Sequence, residues 1–330
     1  MTEAPFFSIN IPTRNRAGML RAALKSLLWQ TCGDFECRVM DDGSTDATPE
    51  VFKEFSGDAR FIWERFSEHK GVTFGRNHAA QQARGRFITF LDDDDIWLPE
   101  RLARFKAEAL AKPEVGFWFS NAYVWRYDRI IGRLFTPGRP IPEGVVPGYY
   151  AIGDRYLPYV SSHMAIARAA FEKVGYFRPE LDIMVDTELA VRVMAGGFPV
   201  GAIHEPMAIR RLHDAQVTRD HQKALRECMR VLETAAAPPE VDRAYRRELT
   251  LDAAVYTLKN LEPAVARRLL ADSSIPRDLK YRALTLASYL PVPALAALRR
   301  LRTAVLLGAP QEPERKAEFK AVEDAVRKIL

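Results

Sequence analysis

Four consecutive aspartates, Asp92, Asp93, Asp94 and Asp95, follow the apolar run FITFL and precede Ile96-Trp97. Strand side chains alternate between faces, so a continuing strand would aim Asp92 and Asp94 to one side, roughly 7 Å apart. Carboxylates crowded in this way repel, and they stay charged near pH 7 most easily beside a cation. An all-oxygen donor set with open positions suits Mg²⁺ or Mn²⁺ shared with a diphosphate. The bland reading is a solvated loop in which Asp95 helps to start the helix after Pro99; the apolar flanks weigh against it. Two other apolar runs end in polar clusters. FFSINI leads into Pro12-Thr13-Arg14-Asn15, and FECRVM into Asp41-Asp42-Gly43-Ser44-Thr45-Asp46. Asp, Gly and Ser all favour turns, so the second cluster also reads as an ordinary turn. Further on, MVDTELAVR carries Asp186 and Glu188, a general-base candidate or simply the start of a helix.

These clusters need elements to hold them. The first hundred residues alternate short apolar runs with helical patterns. The runs Phe6–Ile11, Phe35–Met40, Phe61–Glu64 and Phe87–Leu91 read as buried strands; Ala17–Gln30, Pro49–Phe55, Val72–Ala83 and Pro99–Ala111 read as helices, with Arg84-Gly85 as a stop signal. This alternation implies a parallel sheet with helices on both faces, and ligands in such sheets bind beyond the carboxyl ends of strands. All three polar clusters lie at such ends. From about Val115 the character changes. Val115–Asn121, Tyr159–Ala167, Val200–His204 and Met207–Leu212 look like strands, Asp186–Ala195 like a short helix, and TPGRPIPEGVVPGYY like a long irregular loop. After about Thr218 strand signals vanish, and Ala-, Leu- and Arg-rich segments broken by prolines suggest helices.

The 330 residues, 48% hydrophobic and 28% charged, describe an ordinary globular chain of about two domains. Cys32, Cys37 and Cys228 cannot all pair and lack metal-ribbon spacing, so a reducing, cytoplasmic setting is expected. The start, MTEAPFFSINIPT, has no signal-peptide pattern, and no run is long and apolar enough to span a bilayer. Between Leu279 and Gln311 stand five basic residues and no acidic one, which accounts for the whole net charge of +5. The remainder is neutral, which argues against a nucleic-acid partner.

INIPTRNR (Ile9–Arg16), LWQT (Leu28–Thr31), VMDDGSTD (Val39–Asp46), GRN (Gly75–Asn77) and ARGRFITFLDDDDIWLPERL (Ala83–Leu102) stand together in the order and spacing of a known family. The sequence resembles glycosyltransferase family 2. That resemblance covers roughly the first 215 residues and implies the GT-A fold: a Rossmann-like, mostly parallel sheet with helices on both faces. A nucleotide-binding half would span about 1–112 and an acceptor half about 113–217, followed by a helical region over 218–330. It further implies an inverting, metal-dependent transfer of a sugar from a UDP- or dTDP-type donor to a hydroxyl of a glycan or lipid-linked saccharide, in cell-surface polysaccharide synthesis.

Carried over residue by residue, Pro12, Thr13 and Asn15 line the base and ribose pocket, with Arg14 where the family often has an aromatic. Asp42 accepts a hydrogen bond from the base, and Arg76 lies near the donor phosphates. Asp92 and Asp93 belong to the nucleotide site. Asp94, with Asp92, holds Mn²⁺ or Mg²⁺, and His213 of the late R-x-H element completes the metal site. Asp186 is the general base, with Glu188 as the fallback. Val185 replaces the family's glutamate, and that departure keeps a second reading open: a non-catalytic nucleotide-sugar or glycan-binding scaffold. His163 is expected to pack rather than to act. In the C-terminal region, Ala294, Leu298, Leu301 and Val305 form an apolar arc with Arg299, Arg300 and Arg302 off it. A basic amphipathic helix of this kind rests on an anionic membrane surface, or else packs on the catalytic domain or on a second copy in a homodimer.

Overall fold

The computed structural model describes residues 4–152, 155–213, 220–271, 277–308 and 313–330. The chain divides into two units, Met1–Asp214 with Ala321–Leu330, and Ala215–Lys320.

In the first unit, β1 (Phe7–Thr13), β2 (Phe35–Asp41), β3 (Phe61–Arg65) and β4 (Phe87–Phe90) lie parallel in the order β3-β2-β1-β4. Helices α1 (Ala17–Leu28), α2 (Thr48–Lys53) and α3 (Val72–Gln81) connect the strands. Every residue of β2 and β4 is buried, as expected where helices cover both faces of a sheet and the strands read as unbroken apolar runs. Leu20, Leu24 and Leu27 of α1 join Phe7, Ile9, Val39 and Phe87 in the core.

The second half of the sheet departs from the parallel pattern. It comprises β5 (Ile96–Trp97), β6 (Phe117–Arg126), β7 (Arg129–Arg133), β8 (Met164–Ala167) and β9 (Val200–Arg211), with helices α4 (Arg101–Ala111), α5 (Arg168–Val174) and α6 (Val185–Ala195). Strand β8 runs antiparallel to both β4 and β6, β9 is parallel to β6, and β5 is antiparallel to β9, giving a mixed sheet. The expected strand Tyr159–Ala167 shortens because Ser161–His163 turn as a 3-10 helix, with His163 N donating to Val160 O at 2.9 Å. The two strands expected between Val200 and Leu212 are one. A register shift opposite Ser120 and Asn121 carries β9 past Pro206, which has no N–H to give to the ladder. The last ten residues return to this unit. Val326 and Ile329 are buried, and Ile130 N donates to Glu323 Oε1 at 2.7 Å.

The second unit is helical: α7 (His221–Thr234), α8 (Pro239–Lys259), α9 (Pro263–Leu270), α10 (Leu279–Ala287) and α11 (Val292–Gly308), with α12 (Pro313–Arg327) leading back to the tail. Prolines open α8 and α9, where a missing N–H costs nothing. Asp220 and Asp278 cap α7 and α10 through Lys223 N and Tyr281 N. The apolar arc expected on α11 is corrected at its described end. Leu295, which is off that arc, packs with Leu251, Leu258 and Leu270, while Leu298 is exposed. Leu301 and Val305 lie outside the described side chains.

Candidate active site

The sheet delivers the predicted clusters to one edge. Asp92–Asp95 do not continue β4. They fold into a turn closed by Asp95 N donating to Asp92 O at 2.9 Å. The alternation expected for Asp92 and Asp94 is therefore replaced by a tighter arrangement, in which one oxygen each of Asp92, Asp94 and Asp95 come within 4.8 Å of one another. Asp95 is not the start of a helix: α4 begins at Arg101 and Asp95 belongs to the cluster.

Chain cations hold this turn. Arg76, buried on α3, donates to Asp92 Oδ1 at 2.7 Å. Its own carbonyl accepts from Asn10 of β1 at 3.0 Å, and its guanidinium lies over the rings of Phe90 and Phe177. Arg16 Nη1 donates to Asp93 Oδ1 at 2.8 Å and to Asp94 Oδ2 at 3.1 Å. His213 Nε2 stands 2.9 Å from that same Asp94 Oδ2. Arg211 donates its backbone N to Asp95 Oδ1, its Nε to the Asp94 carbonyl and its Nη2 to the Asp93 carbonyl. Thr13 Oγ1 at the end of β1 donates to Asp93 Oδ2 at 2.7 Å. Burial pushes the Asp93 carboxyl up to about 6, with Arg16 pulling the other way. Burial, aided by the charges of Asp94 and Asp92, pushes Asp95 up to about 8.

The other nucleotide-side residues separate into two groups. Asn15, in a left-handed conformation (φ 52°), and Ser44 tie the first two strand ends together. Asn15 N donates to Ser44 Oγ at 2.9 Å, and Thr45 N donates to Asn15 Oδ1 at 2.7 Å. Pro12 is half-buried on β1 and Arg14 is exposed. Asp42 is buried and already engaged. Its carboxylate accepts from Lys70 N at 2.6 Å and Gly71 N at 2.9 Å, and His69 Nδ1 lies 2.6 Å away. The carboxylate expected to face the base thus pins the loop before α3. Its neighbour Asp41 is fully buried; Oδ1 accepts from Ser44 N, and Oδ2 has no hydrogen bond, with Arg65 Nε at 3.4 Å.

Asp186 and Glu188 part company. Asp186 is the second residue of α6, half-buried, and its Oδ2 accepts from Ser161 Oγ at 3.1 Å. The next residue, Ser162, accepts at Oγ from Asp92 N at 3.0 Å and bonds the Asp95 carboxyl. The adjacent serines of this turn thus link Asp186 to the aspartate cluster through one short stretch of chain. Glu188 is 3% exposed, and both its oxygens are taken. Oε1 accepts from Arg178 Nε and Arg192 Nε, and Oε2 from Arg192 Nη2, each at 2.7 Å. This weighs against its expected role as the fallback base: a buried carboxylate that already accepts three charge-assisted hydrogen bonds from two guanidiniums is turned away from a substrate proton. His163 is fully buried, with neither ring nitrogen hydrogen-bonded, and burial holds it well below the usual imidazole range.

The donor set of Asp92, Asp94 and Asp95, with His213 alongside, fits a hard divalent cation with open positions. A family profile described as Glycosyl transferase family 2 matches residues 8–174, just over half of the chain. The chain belongs to glycosyl transferase family 2. The UDP-Glc:alpha-D-GlcNAc-diphosphoundecaprenol beta-1,3-glucosyltransferase WfgD of Escherichia coli is 35% identical over 130 residues, 39% of this chain and 51% of that protein. The chain therefore spans about half the length of that relative. Two solved structures share the GT-A fold. S. aureus TarS 1–349 in complex with UDP has a TM-score of 0.55 and 17% identity, covering 89% of this chain and 91% of that one. The mannosyltransferase PcManGT from Pyrobaculum calidifontis, in complex with GDP-Man and Mn²⁺, has a TM-score of 0.56 and 20% identity, covering 99% and 87%.

The motifs located Asp92–Asp94, Arg76 and His213 together at one sheet edge, with Asp186 linked to them through Ser161-Ser162. Arg16, Arg211, Ser161 and Ser162 had no role expected from sequence, and Asp95 only that of starting a helix. Arg16 and Arg211 stood inside quoted motifs, so their signal was present, but a sequence does not show which carboxylates or carbonyls a guanidinium reaches. The two serines carry no pattern of their own and matter only through the turn they make.

Proposed function

We propose that this chain is an inverting glycosyltransferase. It moves a sugar from a UDP- or dTDP-type donor to a hydroxyl of a glycan or lipid-linked saccharide in cell-surface polysaccharide synthesis. The observation that carries the reading is the Ser161-Ser162 turn, which bonds Asp186 on one side and the aspartate tip on the other. Asp186 takes the proton from the acceptor hydroxyl as it attacks the anomeric carbon, and its hydrogen bond to Ser161 orients it. With Glu188 spent on Arg178 and Arg192, no second carboxylate on α6 serves as a nucleophile, which favours single displacement with inversion. Residues 1–112 hold the nucleotide and 113–217 the acceptor. Asp92, Asp94, Asp95 and His213 would hold Mn²⁺ or Mg²⁺, which would neutralise charge on the departing diphosphate. Arg76 orients Asp92, and Thr13 fixes Asp93.

The nature of the relatives' acceptors and the charge of the helical unit support a peripheral contact with an anionic membrane surface. Leu279, Leu286, Tyr289, Leu290 and Val292 are exposed on and just after α10, within the stretch 279–311 that carries five basic residues and no acidic one.

The test is release of nucleoside diphosphate from a panel of UDP-, dTDP- and GDP-sugars with Mn²⁺ or Mg²⁺. Slow donor hydrolysis that falls about 10²–10⁴-fold in Asp186→Asn and persists in Glu188→Gln is expected. Donor binding without turnover over a broad acceptor panel would establish the scaffold reading instead.

A further inference from the structure

We infer that Arg16 is an internal competitor for the divalent cation, and that it transfers to the donor diphosphate when the cation takes Asp94. The inference rests on the reading of the aspartate tip as the metal and diphosphate site. Arg16 Nη1 bridges Asp93 Oδ1 at 2.8 Å and Asp94 Oδ2 at 3.1 Å, while His213 Nε2 sits 2.9 Å from the same Oδ2. A carboxylate oxygen offers about two lone pairs, so this one is filled by the two nitrogens. A cation binding through it must displace one of them. A cation binding through the other Asp94 oxygen still meets a guanidinium charge a few ångströms away in a largely buried setting, where like charges repel far more than in water. Asp93 is 3% exposed and strengthens the hold on Arg16 from the far side.

The position of Arg16 in the chain gives the displaced guanidinium somewhere to go. It directly follows Thr13-Arg14-Asn15, the strand end assigned to the nucleotide, and immediately precedes α1. A planar guanidinium matches phosphate oxygens with two parallel hydrogen bonds. Binding of cation and of donor are thereby coupled. Cation binding frees Arg16 for the diphosphate, and a diphosphate that takes Arg16 opens Asp94 to the cation. Linkage requires the coupling to be equal in both directions.

The experiment measures Mn²⁺ affinity by the electron paramagnetic resonance of free Mn²⁺, and UDP affinity by calorimetry. The proteins are wild type, Arg16→Ala, Arg16→Lys and Asp94→Asn, with folding of each verified by circular dichroism. Arg16→Ala is expected to bind Mn²⁺ alone about tenfold more tightly than wild type, and UDP at saturating Mn²⁺ about tenfold more weakly. Arg16→Lys, which keeps the charge without the fork, should fall between them. Equal or weaker Mn²⁺ binding by both Arg16 variants overturns the inference while leaving the metal site standing. If wild type takes up no Mn²⁺ even with UDP and Asp94→Asn changes nothing, the reading of the tip itself fails, and the competition falls with it.

Discussion

Asp186 and Glu188 stand two residues apart on one helix and answer to different physics. Glu188 is an anchor: from a buried position it draws Arg178 onto α6 and pairs with Arg192 one turn along the same helix. Removing one partner of a buried pair costs about 3–5 kcal/mol, and half-exposed Arg178 lowers the expectation for Glu188→Gln to about 2–3 kcal/mol. Denaturant melts should show that loss while the folded fraction keeps its turnover; the reverse pattern would make Glu188 the base. The raised carboxyls give a second prediction. Asp93 at about 6 and Asp95 at about 8 both lie above the unfolded value of about 3.9. The fold therefore favours their protonated forms. The stability they contribute is full below about pH 4 and is lost as pH rises through 6 and then 8. In EDTA, the melting temperature of wild type should fall from pH 5 to 8, and Asp95→Asn should fall less steeply. Parallel slopes would remove Asp95 from the balance.

At the scale of elements, the strand ends were legible because parallel strands buried on both faces read as unbroken apolar runs. The carboxyl ends of β1, β2 and β4 were located within a residue or two. The second half of the sheet was less legible, for identifiable reasons. β5 has two residues, too few to show a period, and β8 is cut short by a turn that no Gly or Pro announces. β9 continues through a proline that would ordinarily end a strand. One stop signal proved stricter than its sequence suggested. A Cβ added at Gly85 would lie 2.5 Å from Ser8 N and 2.6 Å from Phe7 C, where only backbone could yield. Gly85→Ala should destabilise by about 1–3 kcal/mol, because β1 and the segment entering β4 would be forced apart. Gly18 in α1 is the contrast: nothing lies within 4 Å of its added Cβ, so Gly18→Ala should stabilise by up to about 1 kcal/mol. Thermal melts of the pair, one shifted down and one up, check both statements.

At the scale of the whole molecule, charge location was readable from sequence and the packing that uses it was not. The basic stretch 279–311 was plain, but the amphipathic arc drawn on α11 fails where Leu295 turns inward. Leu279 and Leu286, seven residues apart, share one face of α10, and Tyr289, Leu290 and Val292 extend the apolar exposure beyond it. Vesicles rich in phosphatidylglycerol should float the protein and vesicles of phosphatidylcholine should not, with Leu286→Asp plus Tyr289→Asp abolishing flotation. A concentration-dependent dimer lost in that double variant, without lipid binding, would assign the patch to a second copy. Among the described residues no helix is long and apolar enough to cross a membrane.

A turn Asp92–Asp95 that joins a divalent cation to a nucleoside diphosphate makes nucleotide binding depend on the cation. Calorimetric titration of UDP into the protein, with Mn²⁺ and again with EDTA, tests it most directly. Wild type should bind only with the cation present, and Asp94→Asn should lose that requirement together with most of its affinity. UDP binding of equal strength in EDTA, or left intact by Asp94→Asn, would contradict it.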